Sequence, residues 1–175
     1  QGNMTNKNGT AFNYDYANHL RSVTPSGSTN SYYYLYDGQG RRIIDTTPQG
    51  YKYTQYTQDG RLAITSNNRT NKVSEYVYLG GSLVAIRERD VATGIYTTKY
   101  QHTDGQGSPV AVTTTGDNVI ERSEYEPFGK LLNRTANDGP GYGGHVEDQA
   151  TGITYMQQRY YDPQVGRFLS VDPEV

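Results

Sequence analysis

A motif of about 20 residues recurs along the chain and limits the folds that the chain can adopt. In each copy, alternating tyrosines precede a turn of Asp and Gly, and a short β-branched or aliphatic run follows, as in residues 34–44. The residue after the turn recurs at steps of 20, 20, 21, 26 and 22 residues, at Arg21, Arg41, Arg61, Ser82, Ser108 and Lys130. Such a period accommodates two short strands and two turns. The repeat therefore predicts a series of β-hairpins.

Each copy contains the parts of a hairpin. Tyr32, Tyr34 and Tyr36 fall on one face of an extended strand, whereas Tyr33 and Leu35 fall on the other. The Asp side chain of the turn bonds its own backbone, and the Gly accepts a positive φ angle. Helix signals are nearly absent. We therefore predict an all-β fold, an antiparallel repeat β-strip of hairpins.

Tyrosine dominates the large apolar residues. The 175 residues include 18 Tyr but only 3 Phe, 2 Met and no Trp, and the hydrophobic fraction is 33%. A tyrosine ring joins a broad apolar face to a polar hydroxyl, which suits flat, half-buried surfaces, and stacked hairpins would align such rings in ladders. A single-layer strip leaves two open edges and one uncovered face, which predicts continuation of the sheet in a longer chain or pairing between copies.

Charge and composition exclude several functional classes. The net charge is -2 and no basic block occurs, so no feature favours nucleic acid as a partner. The chain has no cysteine, which excludes disulfides and thiolate chemistry. No apolar run approaches the ~18–20 residues of a membrane span. His19, His102 and His145 lack the spacing of metal ligands, and turns such as residues 37–40 offer one carboxylate each, so we predict no metal and no cofactor.

Four segments resemble the Rhs family of YD-repeat proteins, which is related to the teneurins and the toxin-complex C proteins. Residues 36–41 resemble a YD repeat, and residues 100–110 and 125–129 resemble two further segments of that family. Residues 151–173 resemble the Rhs-associated core, and this match is the longest and most specific. The resemblance accordingly divides the chain into a YD-repeat β-strip at 1–135 and an irregular C-terminal core segment at 136–175.

The resemblance implies a fold and a function. In this family the strip spirals into a hollow β-shell that encloses a variable C-terminal toxin, and the core segment plugs or lines one end. We therefore expect a structural shell segment of a bacterial polymorphic toxin, secreted or at the cell surface and delivered by a secretion system. Its partners would be the rest of the shell and the C-terminal toxin of the parent chain.

The resemblance also implies an enzymatic alternative, in which an aspartyl autoprotease in the core releases the toxin. The family's catalytic residues would correspond to Asp162 and Asp172, each followed by proline, and to Arg159. Two close carboxylates that share one proton allow one to activate water while the other donates. The competing interpretation is that Asp-Pro steps only start turns. Cleaving members continue Asp-Pro-x-Gly-Leu, whereas Val175 occupies the glycine position here, so cleavage would be a property of the parent chain.

Carbohydrate recognition is a third hypothesis. Exposed tyrosines interspersed with Asn, Gln and Asp would suit ring stacking on sugars, which would make the chain an adhesion module. The tyrosines recur with the repeat, however, and this regularity favours ladders between neighbouring strands.

Overall fold

A computed structural model of the chain describes residues 2–171. Twelve strands form one antiparallel sheet in which each strand pairs with its neighbours in sequence. They are β1 (Asn6–Lys7), β2 (Thr10–Tyr14), β3 (Leu20–Thr24), β4 (Tyr32–Tyr36), β5 (Arg42–Thr47), β6 (Gly50–Tyr56), β7 (Leu62–Asn67), β8 (Lys72–Leu79), β9 (Ser82–Asp90), β10 (Tyr96–Thr103), β11 (Pro109–Thr114) and β12 (Val119–Arg122). This meander confirms the predicted all-β antiparallel strip.

A second antiparallel sheet of four short strands lies near the C-terminus. Its strands are β13 (Val146–Glu147), β14 (Thr154–Met156), β15 (Arg159–Asp162) and β16 (Arg167–Phe168). A single 3-10 turn, Tyr142–Gly144, is the one helical element among residues 2–171. The predicted boundary between residues 135 and 136 falls in the connection between the two sheets and stays a prediction.

The Asp-x-x-Gly turns close hairpins as the sequence predicts. Between β4 and β5, the Asp37 N–H donates to the Arg41 carbonyl at 2.9 Å and the Gly40 N–H donates to the Asp37 carbonyl at 3.0 Å. The Asp37 carboxylate also accepts the backbone N–H groups of Gln39 and Arg41, each at 2.9 Å. Asp104 forms the same set of bonds in its own turn. These local bonds fix the turn, and the turn fixes the register of its two strands.

The large sheet has two faces of different character, because side chains alternate along each strand. On one face Tyr34 lies opposite Asp45, which lies opposite Lys52. On the other face Leu35 lies opposite Ile44. The C-terminal segment, residues 136–171, packs on the first of these faces, which we name the covered face. The opposite side is the uncovered face.

The core lies between the covered face and the C-terminal segment. Strands β2, β3, β4 and β7 and the C-terminal segment contribute its buried residues, so the sheet obtains a second layer from its own chain. Its buried members are Phe12, Leu20, Val23, Tyr34, Leu62, Val146, Ile153, Tyr155, Tyr160 and Leu169. Ordinary apolar burial thus holds the segment in place.

The C-terminal segment also closes the edge of the large sheet at β1. The Met4 N–H donates to the Leu169 carbonyl at 2.7 Å. The ammonium group of Lys7 contacts the carboxylate of Asp162. This edge is therefore capped, which removes one of the two open edges expected for an isolated strip.

The glycines of the turn between β4 and β5 provide a test of this geometry. Gly40 has a φ of +75°, and a Cβ there would meet His19 Nε2 at 2.9 Å and Gln158 Oε1 at 3.3 Å. Gly38 lies outside the left-handed region, and its Cβ would meet nothing within 4 Å. Because a left-handed residue with a Cβ costs about 1–2 kcal/mol, Gly40→Ala should lower the free energy of unfolding by about that amount.

The matched substitution Gly38→Ala should change the free energy of unfolding by no more than about 0.5 kcal/mol. Urea unfolding followed by circular dichroism measures both variants. Equal losses in the two variants would contradict the left-handed turn.

Candidate functional site

The central residue of the site is Arg42, the first residue of β5. Arg42 pairs with Tyr36 across the hairpin, and this register directs the Arg42 side chain toward the covered face. Only 2% of the residue is exposed. The guanidinium Nη1 donates to Asp148 Oδ2 at 2.7 Å and to the Tyr160 hydroxyl at 3.2 Å. A buried cation needs a charged partner and hydrogen bonds to offset the loss of water. Asp148, from the C-terminal segment, supplies the charge.

Three tyrosine rings surround the same guanidinium group. Its carbon lies 4.6 Å from the ring centroid of Tyr155, 5.2 Å from that of Tyr34 and 5.6 Å from that of Tyr160. These distances lie within the range of cation–π attraction. We name this group of five residues, Arg42, Asp148, Tyr34, Tyr155 and Tyr160, the arginine cage. Two of the five come from the sheet and three from the C-terminal segment, so the cage joins the two layers.

The tyrosine hydroxyls add further hydrogen bonds to the cage, although Arg42 Nε has no partner among residues 2–171. Tyr155 accepts the backbone N–H of Arg42 at 2.7 Å, and Tyr34 donates to Asp148 Oδ2 at 3.2 Å. Tyr56 donates to the Arg42 carbonyl at 2.9 Å. Burial raises the pKa of Tyr155 to about 12 and raises the pKa values of Tyr34 and Tyr160 well above their ordinary values. The hydroxyls therefore stay protonated near neutral pH and remain able to donate.

A second buried ion cluster lies beside the cage. Asp45 accepts a hydrogen bond from Arg69 Nη2 at 2.6 Å and lies 3.4 Å from Lys52 Nζ. Lys52 also donates to the backbone carbonyl of Asp138 at 2.9 Å. Burial by itself would raise the pKa of Asp45, but Lys52, Arg42 and Arg69 outweigh it and lower that pKa below its ordinary value. Asp138 thus gives the C-terminal segment a second attachment to the sheet.

Of the predicted catalytic residues, Asp162 lies at the end of β15 and is 3% exposed. Its carboxylate contacts the Lys7 ammonium group and accepts the Gln164 N–H at 2.9 Å. Its backbone carbonyl accepts the Gly166 N–H at 2.9 Å. These backbone bonds are those of a turn-starting aspartate. The residue also borders a cavity of about 220 Å³ that Lys7 helps to line.

Of the other two predicted catalytic residues, the structure describes Arg159 but not Asp172. Arg159 begins β15, and its guanidinium carbon lies 3.7 Å from the ring centroid of Phe168. Asp172 lies outside the described residues. The pairing of Asp162 with Asp172, and the roles of all three residues in catalysis, therefore stay predictions.

Sequence reasoning did not identify the arginine cage, although one signal was present. Arg41 and Arg42 follow the turn glycine as a doublet, and strand alternation sends only one of two neighbouring side chains inward. A charged residue at an inward position needs a buried partner. The partner itself, Asp148, is 106 residues away and nothing local marks it.

The three histidines, His19, His102 and His145, all lie within the described residues. His102 Nε2 lies 3.1 Å from the Thr113 hydroxyl, and burial lowers the pKa of His145. In residues 2–171, no cluster of three or more His, Cys, Asp or Glu side chains is arranged to hold a metal ion. No helix in the same range is long and apolar enough to cross a membrane.

Comparison with known sequences identifies relatives along the whole chain. A family model described as Teneurin YD-shell matches residues 1–175. The tRNA3(Ser)-specific nuclease WapA of Bacillus spizizenii is 26% identical over 99% of this chain and 8% of its own length. Double-stranded DNA deaminase toxin A of Burkholderia cenocepacia is 30% identical over 80% of this chain and 12% of its own length. Teneurin-3 of Mus musculus is 26% identical over 94% of this chain and 6% of its own length.

Solved structures share the fold. The crystal structure of TcdB2-TccC3-TEV superposes with a TM-score of 0.71 at 22% identity, over 95% of this chain and 9% of that one. A Photorhabdus luminescens Tc holotoxin pore superposes with a TM-score of 0.72 at 19% identity, over 97% of this chain and 9% of that one. The chain thus spans a small fraction of the length of the proteins that it matches.

Substitution of Arg42 tests the arginine cage. Arg42→Ala leaves the Asp148 carboxylate buried without its cation, so it should lower the free energy of unfolding by about 3–5 kcal/mol. Arg42→Lys keeps the charge but loses the planar, two-sided contact, and should fall between Arg42→Ala and the unaltered chain. Urea unfolding monitored by near-ultraviolet circular dichroism reports the tyrosine packing directly.

The neighbouring residue is the control. Arg41 is partly exposed and its Nε lies 2.9 Å from Asp37 Oδ2, so Arg41→Ala should cost about 1 kcal/mol or less. If Arg41→Ala and Arg42→Ala destabilise the chain equally, the cage has no special role in its stability.

Proposed function

Because the chain belongs to the Teneurin YD-shell family, we propose that it is a wall segment of a hollow β-shell that encloses a C-terminal toxin domain of a longer parent chain. The observation that carries this proposal is the seating of the C-terminal segment on the covered face through the arginine cage. A sheet that holds a segment of its own chain against one face is suited to separate an inside from an outside.

Within this proposal the two parts of the chain have different roles. Residues 1–135 would form the wall, and residues 136–175 would form the core segment, whose described part, residues 136–171, lies against the wall. The apolar cluster and the two buried ion clusters support this assignment, because together they hold the segment to the sheet along β2 to β7.

The relatives support the link to a toxin. Two of them are described as a nuclease and a DNA deaminase toxin, and this chain corresponds to 8% and 12% of their lengths. We therefore assign any toxic activity of the parent to a region outside these residues. A parent of this kind would be secreted or at the bacterial cell surface, delivered by a secretion system, with the remaining shell and its own toxin domain as partners.

Limited proteolysis of the parent chain tests enclosure. In the intact parent, the C-terminal domain should be cut far more slowly than the same domain expressed alone, because the wall excludes the protease. Arg42→Lys should loosen the core segment and increase the rate of cutting in that domain by about tenfold, since proteolysis follows the population of the open form. Arg41→Lys is the matched control and should leave the rate unchanged.

Cleavage of the intact parent's C-terminal domain at the rate of the free domain would remove the enclosure proposal. Equal acceleration by Arg41→Lys and Arg42→Lys would show that the cage does not hold the enclosure closed.

For Asp162, Asp172 and Arg159 we retain self-cleavage as a prediction for the parent chain. A parent that extends past Val175 should be cut near Asp172, and Asp162→Asn should abolish the cut because the carboxylate pair is lost. Asp15→Asn, in the turn between β2 and β3, is the control and should be cut normally. Mass spectrometry of the products gives the position. An uncut parent, or equal cutting in Asp162→Asn, contradicts the prediction.

Carbohydrate binding also stays a prediction, which a glycan array would test.

A further inference from the structure

A lysine at the edge of the large sheet contacts one of the two aspartates predicted to be catalytic. Lys7 ends β1, and its ammonium group contacts Asp162 Oδ2, although 155 residues separate the two in the chain. The other carboxylate oxygen, Oδ1, accepts the backbone N–H of Gln164 at 2.9 Å. Asp162 is only 3% exposed, so these two donors, rather than bulk water, fix the direction in which its carboxylate faces.

The chain that leads to Asp172 is held at the same edge of the sheet. The Met4 N–H donates to the Leu169 carbonyl at 2.7 Å. Two residues further along, the Val171 N–H donates to Asn3 Oδ1 at 3.3 Å. One short stretch of the sheet edge therefore contacts both the first predicted aspartate and the residues that immediately precede the second.

Space for water adjoins the Asp162 carboxylate. The cavity of about 220 Å³ beside it is lined by Asn8 and Thr10 from the sheet and by Thr151 and Gln164 from the C-terminal segment. One water molecule occupies about 30 Å³ of the liquid, so the cavity has room for the water that hydrolysis consumes. In that reaction the hydroxyl of water bonds to the carbonyl carbon, the C–N bond breaks, and the carboxylate pair passes a proton to the departing nitrogen.

We propose that Lys7 is a positioning residue for the self-cleavage predicted above for the parent chain, and this inference rests on that prediction. The Lys7 ammonium group orients the Asp162 carboxylate, while Asn3 and Met4 align the chain that runs into Asp172. A displacement of about 1 Å between reacting groups can lower a rate about 100-fold, so the cut depends on these contacts. The parent therefore cuts itself only after the sheet has folded and its β1 edge has closed.

The rate of self-cleavage in a parent that extends past Val175 tests the role of Lys7. Lys7→Met removes the ammonium group but keeps a long side chain, and should slow the cut by about 10–100-fold. Lys7→Arg returns a cation to the same position and should restore most of the rate, which a loss of packing alone would not allow. Lys72→Met is the matched control, because Lys72 lies on β8 and pairs with Glu88 at 3.3 Å, and it should leave the rate unchanged.

Asn3→Ala is a second variant, which removes the acceptor of the Val171 N–H and should also slow the cut. Circular dichroism identifies the variants that are folded, and Asn3→Ala alone decides the test if Lys7→Met is not.

The outcomes separate this inference from self-cleavage itself. If the unaltered parent cuts itself and the folded variants Lys7→Met and Asn3→Ala do so at the same rate, this inference is overturned and self-cleavage stands. A loss in Lys7→Met that Lys7→Arg does not reverse, or that Lys72→Met shares, would also overturn it. An unaltered parent that stays uncut would remove both.

Discussion

A buried charged side chain is costly unless the protein replaces the interactions that it would make with water. Arg42 obtains a counter-charge, hydrogen bonds and ring contacts, although its Nε has no hydrogen-bond partner among residues 2–171. Asp148 balances the charge, the hydroxyls of Tyr34 and Tyr160 join the hydrogen-bond network, and three ring faces cover the guanidinium plane. Phenylalanine could provide the rings but not the hydroxyls. The buried tyrosines Tyr34, Tyr155 and Tyr160 thus have a structural reason, because this part of the core is both apolar and hydrogen-bonded.

The sequence could predict the features that depend on neighbouring residues, but not the arginine cage, which depends on residues far apart in the chain. Hairpins were predictable because their determinants are local: Asp37 and Gly40 are three residues apart and bond to each other directly. Strand alternation likewise assigned Tyr34 and Leu35 to opposite faces, as the structure has them. The cage was not predictable, because Arg42 and Asp148 meet only after the strip has folded and the C-terminal segment has packed on it.

The same distinction applies to Asp162. Its turn bonds to Gln164 and Gly166 are local and follow from the Asp-Pro step. Its contact with Lys7, 155 residues away, depends on the closure of the β1 edge, which no local pattern marks. Resemblance to a family identified the residue but could not identify this neighbour. The Lys7 ammonium group is therefore part of the electrostatic environment of Asp162, although it lies outside the sequence motif.

The two faces of the sheet depart from the usual rule that charged side chains are exposed and large apolar side chains are buried. The covered face buries Arg42, Asp45 and Lys52, whereas the uncovered face exposes Tyr33 and Tyr53. The C-terminal segment supplies Asp148 to Arg42, whereas Asp45 and Lys52 pair with each other within the sheet, so each of these buried charges has an opposite partner. Within residues 2–171 no second layer covers the uncovered face, so its tyrosine rings remain exposed to water. Burial of those rings against a second surface would release that water. The sheet would therefore gain more free energy from a partner on this face than from one at the capped β1 edge.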